Sequence, residues 1–343
     1  MPEFARLRGW LQHRWYRPGP PSPLLRPLAW MYALAVRLRR SAYRRGWLAS
    51  RHPGVPVIVI GNLVAGGTGK TPLVIWLANA LRARGQCPGV ALRGYGGHGG
   101  AARLVTPADT PAAVGDEAVL IARRTGVPVA VGADRVAAAA VLVRAGCTLV
   151  LCDDGLQHLA LRPDLAVAVI DGMRGFGNGA LLPAGPLREP AEALRRCNLV
   201  VINGEDVHGI AAGRAALRMQ LLPEALRELR GSRQQPLEGL RGAAVHAVAG
   251  IGHPQRFFAL LRSLGAQPVE HAFADHHRYR AAELEFGDSQ RIVMTEKDAV
   301  KCTALATQAM WYLPVTASLP QADAARLVQA VLERLPGGEN RHA

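Results

Sequence analysis

Short apolar runs alternate along this chain with stretches of helical period and with glycine- or proline-rich turns. Val55–Ile60, Gly89–Arg93, Val127–Val131, Thr148–Asp154, Leu165–Asp171 and Leu199–Ile202 read as buried strands. Leu73, Leu77, Ala80 and Leu81 repeat at helical spacing, and Ala118–Arg124 and Asp134–Ala145 read as helices. Gly94–Gly97 and Gly172–Pro190 read as loops. Strands alternating with helices imply an α/β fold with a doubly wound, mostly parallel sheet, whose ligands sit at the C-terminal ends of the strands. The pattern changes character near Asp206–Gln220. Strands at Ala243–Ala249, Pro268–Phe273, Arg291–Thr295 and Met310–Leu313, with a helix at Pro254–Leu264, then predict a second α/β unit. We expect a core domain over 51–220 and a smaller α/β domain over 221–318. The helix predicted at Ala322–Leu335, within the tail 319–343, packs on one or the other.

The N-terminal segment, residues 1–50, has a different pattern. From Leu24 to Arg45 the period is helical. At ~100° per residue, Leu24, Leu28, Met31, Ala35, Leu38 and Ala42 fall within roughly 80° of arc. Arg26, Arg37, Arg40 and Arg44 cluster opposite, with Trp30, Tyr43 and Trp47 between. Charge sharpens this picture. The chain carries +15 overall, of which the first 50 residues hold ten arginines against Glu3, leaving +6 for the other 293. Four of the six tryptophans lie in the same segment. Basic charge mixed with aromatics suits an anionic membrane surface or a nucleic acid, and the amphipathic face favours lipid. The apolar run Leu28–Val36 is too short to span a bilayer, which takes about 20 residues. A signal peptide is not expected, because the basic region is long and no small-residue cleavage site follows. The expectation is a peripheral, monotopic helix at the cytoplasmic face of an inner membrane. A basic-aromatic segment, Phe4–Tyr16, precedes it, and no obligate protein partner is needed. The alternative is a helix packed on the domain with a solvated arginine face. Five cysteines without a C-x-x-C pair give no disulfide framework or zinc site.

The chemistry starts where Val57–Ile60 runs into Gly61–Thr71. A strand feeding a glycine-rich turn and a helix start builds a phosphate cradle, because backbone N–H groups and the helix dipole point at the anion. Gly66, Gly67, Thr68 and Gly69 supply the loop, Lys70 reaches the β/γ-phosphates, and Thr71 offers its hydroxyl to Mg²⁺. Val64 stands where the motif has its first glycine, leaving Gly66 and Gly67 to supply the flexibility. Lysine usage supports the reading. Only Lys70, Lys297 and Lys301 occur against 38 arginines, so a lysine kept in a glycine loop marks a site that needs a compact ammonium. Asp153 and Asp154, closing a buried strand about 80 residues on, sit where a carboxylate for Mg²⁺ belongs. Which of the two meets the metal stays open. Asp116 alone reads as a helix cap, the adjacent His276 and His277 as loop residues, and Arg188-Glu189 as a surface pair or a phosphate contact. Thr295–Lys301 reads equally as a helix start, with Thr295 capping and Asp298 three residues on.

Taken together the motifs resemble the tetraacyldisaccharide 4'-kinase family, the lipid A 4'-kinases of Gram-negative bacteria. The resemblance rests on Gly61-Asn62-Leu63, Gly66-Gly67-Thr68-Gly69-Lys70-Thr71-Pro72, Arg93-Gly94-Tyr95-Gly96 and Gly115-Asp116-Glu117. It continues through Asp153-Asp154-Gly155-Leu156-Gln157-His158, Leu182–Glu189, Asp275-His276-His277 and Thr295-Glu296-Lys297-Asp298-Ala299, in order over roughly residues 25–315. The missing first glycine is itself typical of that family. The resemblance implies an ATP- and Mg²⁺-dependent transfer of the γ-phosphate to the 4'-hydroxyl of a tetraacyldisaccharide 1-phosphate, in lipid A biosynthesis. It implies two α/β domains with the site between them, Asp116 as catalytic base, and His276 as its partner from the other domain, with His277 as the alternative. Arg135 and Arg188 become candidate phosphate or headgroup contacts. Two rivals remain. A membrane-associated regulatory ATPase of the partitioning type shares the loop, although Ala65 replaces its signature lysine. A nucleic-acid-binding protein is suggested by the pI of 10.7.

Overall fold

A computed structural model describes residues 11, 13–17, 19–94, 100–213 and 215–335. Most of the segment 4–16 and of the loop 94–97 therefore lies outside the described residues. Among those described, two sheets form the architecture. The larger runs β15-β8-β7-β6-β1-β5-β2-β4-β3 and the smaller β10-β9-β14-β13-β11-β12.

The centre of the larger sheet is parallel and buried on both faces, which is why its strands read as unbroken apolar runs. These are β1 (Val57–Gly61), β2 (Pro88–Leu92), β4 (Val129–Val131), β5 (Leu149–Asp153), β6 (Leu165–Asp171) and β7 (Leu199–Asn203). Ile60 is paired with Asp153 on one side and Val167 on the other, so the turns after β1, β5 and β6 open on one edge. Helices α2 (Lys70–Arg82), α4 (Asp116–Thr125) and α5 (Arg135–Arg144) pack on this sheet, and the four-residue α3 (Pro111–Val114) leads into α4. Asp134 caps α5, its side chain accepting from the Val136 N–H. Ile58, Leu73, Leu77, Leu81, Ile121 and Leu151 are fully buried in one cluster.

The sheet has edges that the sequence pattern did not announce. β3 (Arg103–Leu104) pairs antiparallel with β4. β8 (Leu217–Pro223) extends the sheet beside β7, and β15 (Val315–Ser318) pairs antiparallel with β8. The chain thus leaves the larger sheet after Pro223 and re-enters it at Val315. The helix near the C-terminus, α8 (Gln321–Leu332), belongs to the larger sheet, where Leu327, Val328 and Val331 join its core.

Between those two crossings lies the smaller sheet. It is built from β9 (Leu226–Glu228), β10 (Gln234–Gln235), β11 (Ala244–Ala249), β12 (Gln267–Ala272), β13 (Arg291–Thr295) and β14 (Met310–Leu313). α6 (Pro254–Ser263) packs on it through Phe257, Phe258 and Leu261. α7 (Glu296–Cys302) starts as the sequence allowed, with the Thr295 hydroxyl accepting from the Asp298 N–H at 3.1 Å. Asp298 has no exposure. Its carboxylate accepts from the Gly250 N–H, the Thr295 hydroxyl and the Tyr279 hydroxyl and pairs with Lys301, so one buried charge ties together three segments.

The N-terminal helix α1 (Arg26–Arg44) rests on the larger unit by one side only. Ala29 is its one buried residue. Tyr32 donates its hydroxyl to the Arg188 carbonyl at 2.9 Å, Arg39 donates to the Gln157 carbonyl at 3.2 Å, and Arg40 pairs with Glu189. On the other side Leu24, Leu28, Trp30, Met31, Leu34 and Leu38 are all more than half exposed. Simple packing of an apolar face on the domain is therefore not what the helix does. Before it, Trp15 donates to the Pro183 carbonyl and Arg174 lies over the Tyr16 ring. Among the described residues no helix is long and apolar enough to cross a membrane.

Candidate active site

The phosphate loop is fastened at several points before any ligand is considered. Val64, at the position of the missing glycine, is buried and bridged to Leu187, and the Ala65 N–H donates to the Pro186 carbonyl. The first half of the loop is thus held as extended chain, and the sharp bend falls to Gly66 and Gly69, at φ 118° and 95°. Buried Asn62 donates to the Gly66 carbonyl and the Thr68 hydroxyl. Asn203, at the end of β7, donates to the Thr68 carbonyl at 3.0 Å. A Cβ on Gly69 would lie 2.6 Å from the Asn203 amide nitrogen, so both space and backbone angle require glycine there.

α2 opens at Lys70 with the two chemical residues side by side. The Thr71 hydroxyl donates to Asp153 Oδ2 at 3.2 Å. Lys70 Nζ lies 3.4 Å from Asp154 Oδ1. The two aspartates therefore divide. Asp153 faces the threonine hydroxyl, and its Oδ1 is buried with no hydrogen-bond partner. Asp154, in a left-handed conformation at φ 52°, is gripped by both Lys70 and Arg188, the latter at 2.8 Å. Burial and the charge of Glu117 push Asp153 up to about 7, with Lys70 pulling the other way. Burial would raise Asp154 too, but Lys70 and Arg188 hold it at about 2. No cluster of three metal-ligating side chains occurs among the described residues. A magnesium ion fits the hydroxyl–carboxylate pair of Thr71 and Asp153 all the same. That ion keeps several waters and phosphate oxygens in its octahedron, and the orphaned Asp153 oxygen offers the charge it needs.

The expected acid–histidine pair meets across the two sheets. Gly115 ends the preceding turn at φ 92°, and Asp116 begins α4, accepting from the Glu117 N–H at 2.9 Å. His276, from the loop after β12, places Nδ1 3.0 Å from Asp116 Oδ2. His277 turns away to Glu283 and packs among Phe273 and Tyr279. Burial works against the Asp116 charge, but the His276 hydrogen bond and the Lys297 and His276 charges hold its carboxyl below the ordinary range. The same hydrogen bond raises His276, against burial and Lys297. A small cleft lies between the start of α4 and the end of β5. It is lined by Arg93, Gly94, Gly115, Glu117, Arg135, Asp153 and Asp154.

Arg135, a candidate anion contact, is buried and donates to the Gly132 and Asp153 carbonyls. It braces the end of β5. Three contributors were given no role in the site from the sequence. Asn203 carried the signal of a carboxamide closing an apolar strand. Lys297 carried the same lysine scarcity that picked out Lys70. Gly252 carried none: a Cβ there would lie 3.3 Å from the Gly67 nitrogen, so the loop after β11 covers the phosphate loop closely. On the same side Arg256 of α6 reaches Asp171 at 3.0 Å.

The family described as LpxK, tetraacyldisaccharide-1-P 4'-kinase, matches residues 21–335. A tetraacyldisaccharide 4'-kinase of Alkalilimnicola ehrlichii is 51% identical over 318 residues, covering 92% of this chain and 94% of that one. One from Xanthomonas campestris pv. campestris is 48% identical over 343 residues, covering 96% of each. Among solved structures, the "apo" form of LpxK from Aquifex aeolicus in complex with ATP superposes with a TM-score of 0.75 at 25% identity. The match covers 91% of this chain and 98% of that one.

Proposed function

This chain belongs to the tetraacyldisaccharide-1-P 4'-kinase family, and from that premise we propose how its side chains divide the work of the reaction. The protein is an ATP-dependent kinase of lipid A biosynthesis. It transfers the γ-phosphate of ATP to the 4'-hydroxyl of a tetraacyldisaccharide 1-phosphate. Family membership sets aside both the regulatory ATPase and the nucleic-acid-binding readings.

The loop N–H groups of Gly66–Gly69 and the Lys70 ammonium hold the β- and γ-phosphates. Thr71 and Asp153 would hold Mg²⁺, which would supply positive charge against the negative charge of the phosphates. Asp154 fixes Lys70 and Arg188 beside them. As the 4'-oxygen bonds to the γ-phosphorus and the bond to the β-phosphate oxygen breaks, the hydroxyl proton passes to the Asp116 carboxylate. His276 orients that carboxylate through Nδ1. The observation that carries this reading is the Asp116–His276 contact, made by groups from the two units, with Gly115 and Glu117 on either side of Asp116 lining one cleft with Asp153 and Asp154. A base assembled only when two lobes meet limits wasteful ATP hydrolysis.

The exposed apolar side of α1 lies on the cytoplasmic leaflet of the inner membrane, and the exposed Arg26, Arg37 and Arg44 reach anionic headgroups from its margin. The opposite side is tied to Arg188, Glu189 and Gln157, next to the site. The test uses full-length protein, labelled ATP and the disaccharide 1-phosphate in detergent, with product mass read directly. Addition of one phosphoryl group at the 4'-position supports the assignment. ATP hydrolysis indifferent to the lipid refutes it.

A further inference from the structure

The motif Thr295-Glu296-Lys297-Asp298 is left over once the phosphate loop and the acid–histidine pair are assigned. Its helix start accounts for Thr295, and the buried tie accounts for Asp298 and Lys301. Neither accounts for Lys297. This side chain projects from the first turn of α7, on the smaller sheet. It places its ammonium 3.0 Å from Glu117 Oε1, 3.4 Å from Asp275 Oδ1 and 3.9 Å from Asp116 Oδ2. Two of those carboxylates stand on α4 of the larger unit, and the third precedes His276. Glu117 and Asp275 accept hydrogen bonds from this one nitrogen, and Asp116 stands within ion-pair distance of it. A compact ammonium with three diverging N–H bonds meets that arrangement, and the planar fork of arginine does not. That explains a lysine here in a chain that otherwise uses arginine.

We propose that Lys297 is a positioning residue for phosphoryl transfer: it clasps α4 to the Asp275–His276 loop and keeps Asp116 in its proton-accepting state until the sugar hydroxyl arrives. The inference rests on the reading of Asp116 as base. The charged groups around the pair come from each neighbouring element. They are Asp116 and Glu117 on α4, Asp275 and His276 on the loop, and Lys297 and Lys301 on α7. Asp153 lies beyond Glu117, and Arg93 and Arg135 stand on the cleft wall. The Lys297 charge lowers both Asp116 and His276. Its own carboxylate neighbours, Glu117 foremost, outweigh burial and raise it, so it stays charged throughout the working range. Loss of that charge moves both members of the pair toward higher pH. The direction is therefore the same whichever of the two the acid limb of the rate profile reports. Docking of α4 on α7 has a second tie, Arg124 to Glu296 at 3.3 Å, so removal of Lys297 leaves the lobes joined.

The test is the pH dependence of kcat for the full-length enzyme in detergent micelles with ATP and tetraacyldisaccharide 1-phosphate. Lys297→Met is expected to move the acid limb up by about one pH unit, which lowers kcat about tenfold at pH values on the acid side of that limb. Rate is regained at alkaline pH and the KM for ATP stays near wild type. Lys297→Gln, a second neutral variant, moves the limb the same way should the methionine variant not fold. Lys297→Arg returns the limb to its wild-type position while regaining only part of kcat. An unmoved limb in a folded neutral variant, or a loss that is the same at every pH, overturns the proposal. Asp116→Asn with near wild-type turnover overturns instead the base reading beneath it.

Discussion

At the scale of single residues the site is a set of lysines and aspartates with separated duties, and each duty has its own test. Lys70→Ala removes the fixed counter-charge of the γ-phosphate, and a fall in kcat on the order of 10²–10³ is expected. Lys70→Arg is also expected to be poor, because the loop that Asn203 and Asn62 hold around Gly66 and Gly69 has no room for a fork. Near-normal turnover of the arginine variant would show that the site needs only charge. For the base, Asp116→Ala is expected to cost about 10²–10⁴ in kcat with ATP binding kept. His276→Ala falls in the same direction, and the double variant loses little beyond the worse single one, as groups acting as a unit do. His277→Ala, whose ring is held by Glu283, is the mild control. Losses that add in free energy, or a His277 variant worse than the His276 one, would dissolve the pair.

At the scale of elements, α1 carries the sharpest contrast between what it touches and what it leaves bare. Each leucine on its outer side is worth about 1.5–3 kcal/mol if fully buried in lipid. Leu28→Glu with Leu38→Glu is therefore expected to abolish flotation with anionic liposomes. The contacts of Tyr32, Arg39 and Arg40 keep the helix in place, so turnover on detergent-dispersed substrate changes little. Flotation equal to wild type would move the membrane contact elsewhere in the chain. The elements themselves were legible in proportion to their burial. The central strands are apolar on both faces and appear in the sequence as unbroken runs that match β6, β13 and β14 end for end. The edges do not. β8 alternates buried Leu217 and Met219 with exposed Arg218 and Gln220, and its partner β15 is contributed by a stretch nearly a hundred residues later. Thr71 and Asp153 were legible because motif spacing carries them. Asn203 and Gly252 join the site only by tertiary approach, which no local pattern records, and Lys297 stands in a motif whose partners only the tertiary fold supplies.

At the scale of the whole molecule, the smaller sheet is an insertion between two strands that are neighbours. The strand that leaves, β8, and the strand that returns, β15, are paired from Pro223 opposite Val315, and the Glu224 N–H donates to the Pro314 carbonyl at 2.9 Å. Two adjacent, hydrogen-bonded tethers are expected to act like the two pins of a door, permitting rocking about one axis and resisting twisting and sliding. Spin-label pairs placed across the cleft, one near the phosphate loop and one near α4, are then expected to change distance in fixed proportion on addition of nucleotide and lipid. Independent changes would mean that the tethers do not constrain the motion. With one degree of freedom, the swing that sets Gly252 over Gly67 is also the swing that carries His276 to Asp116. Covering the nucleotide and arming the base become one event, and a nucleotide analogue that props the door open disarms a base it never touches.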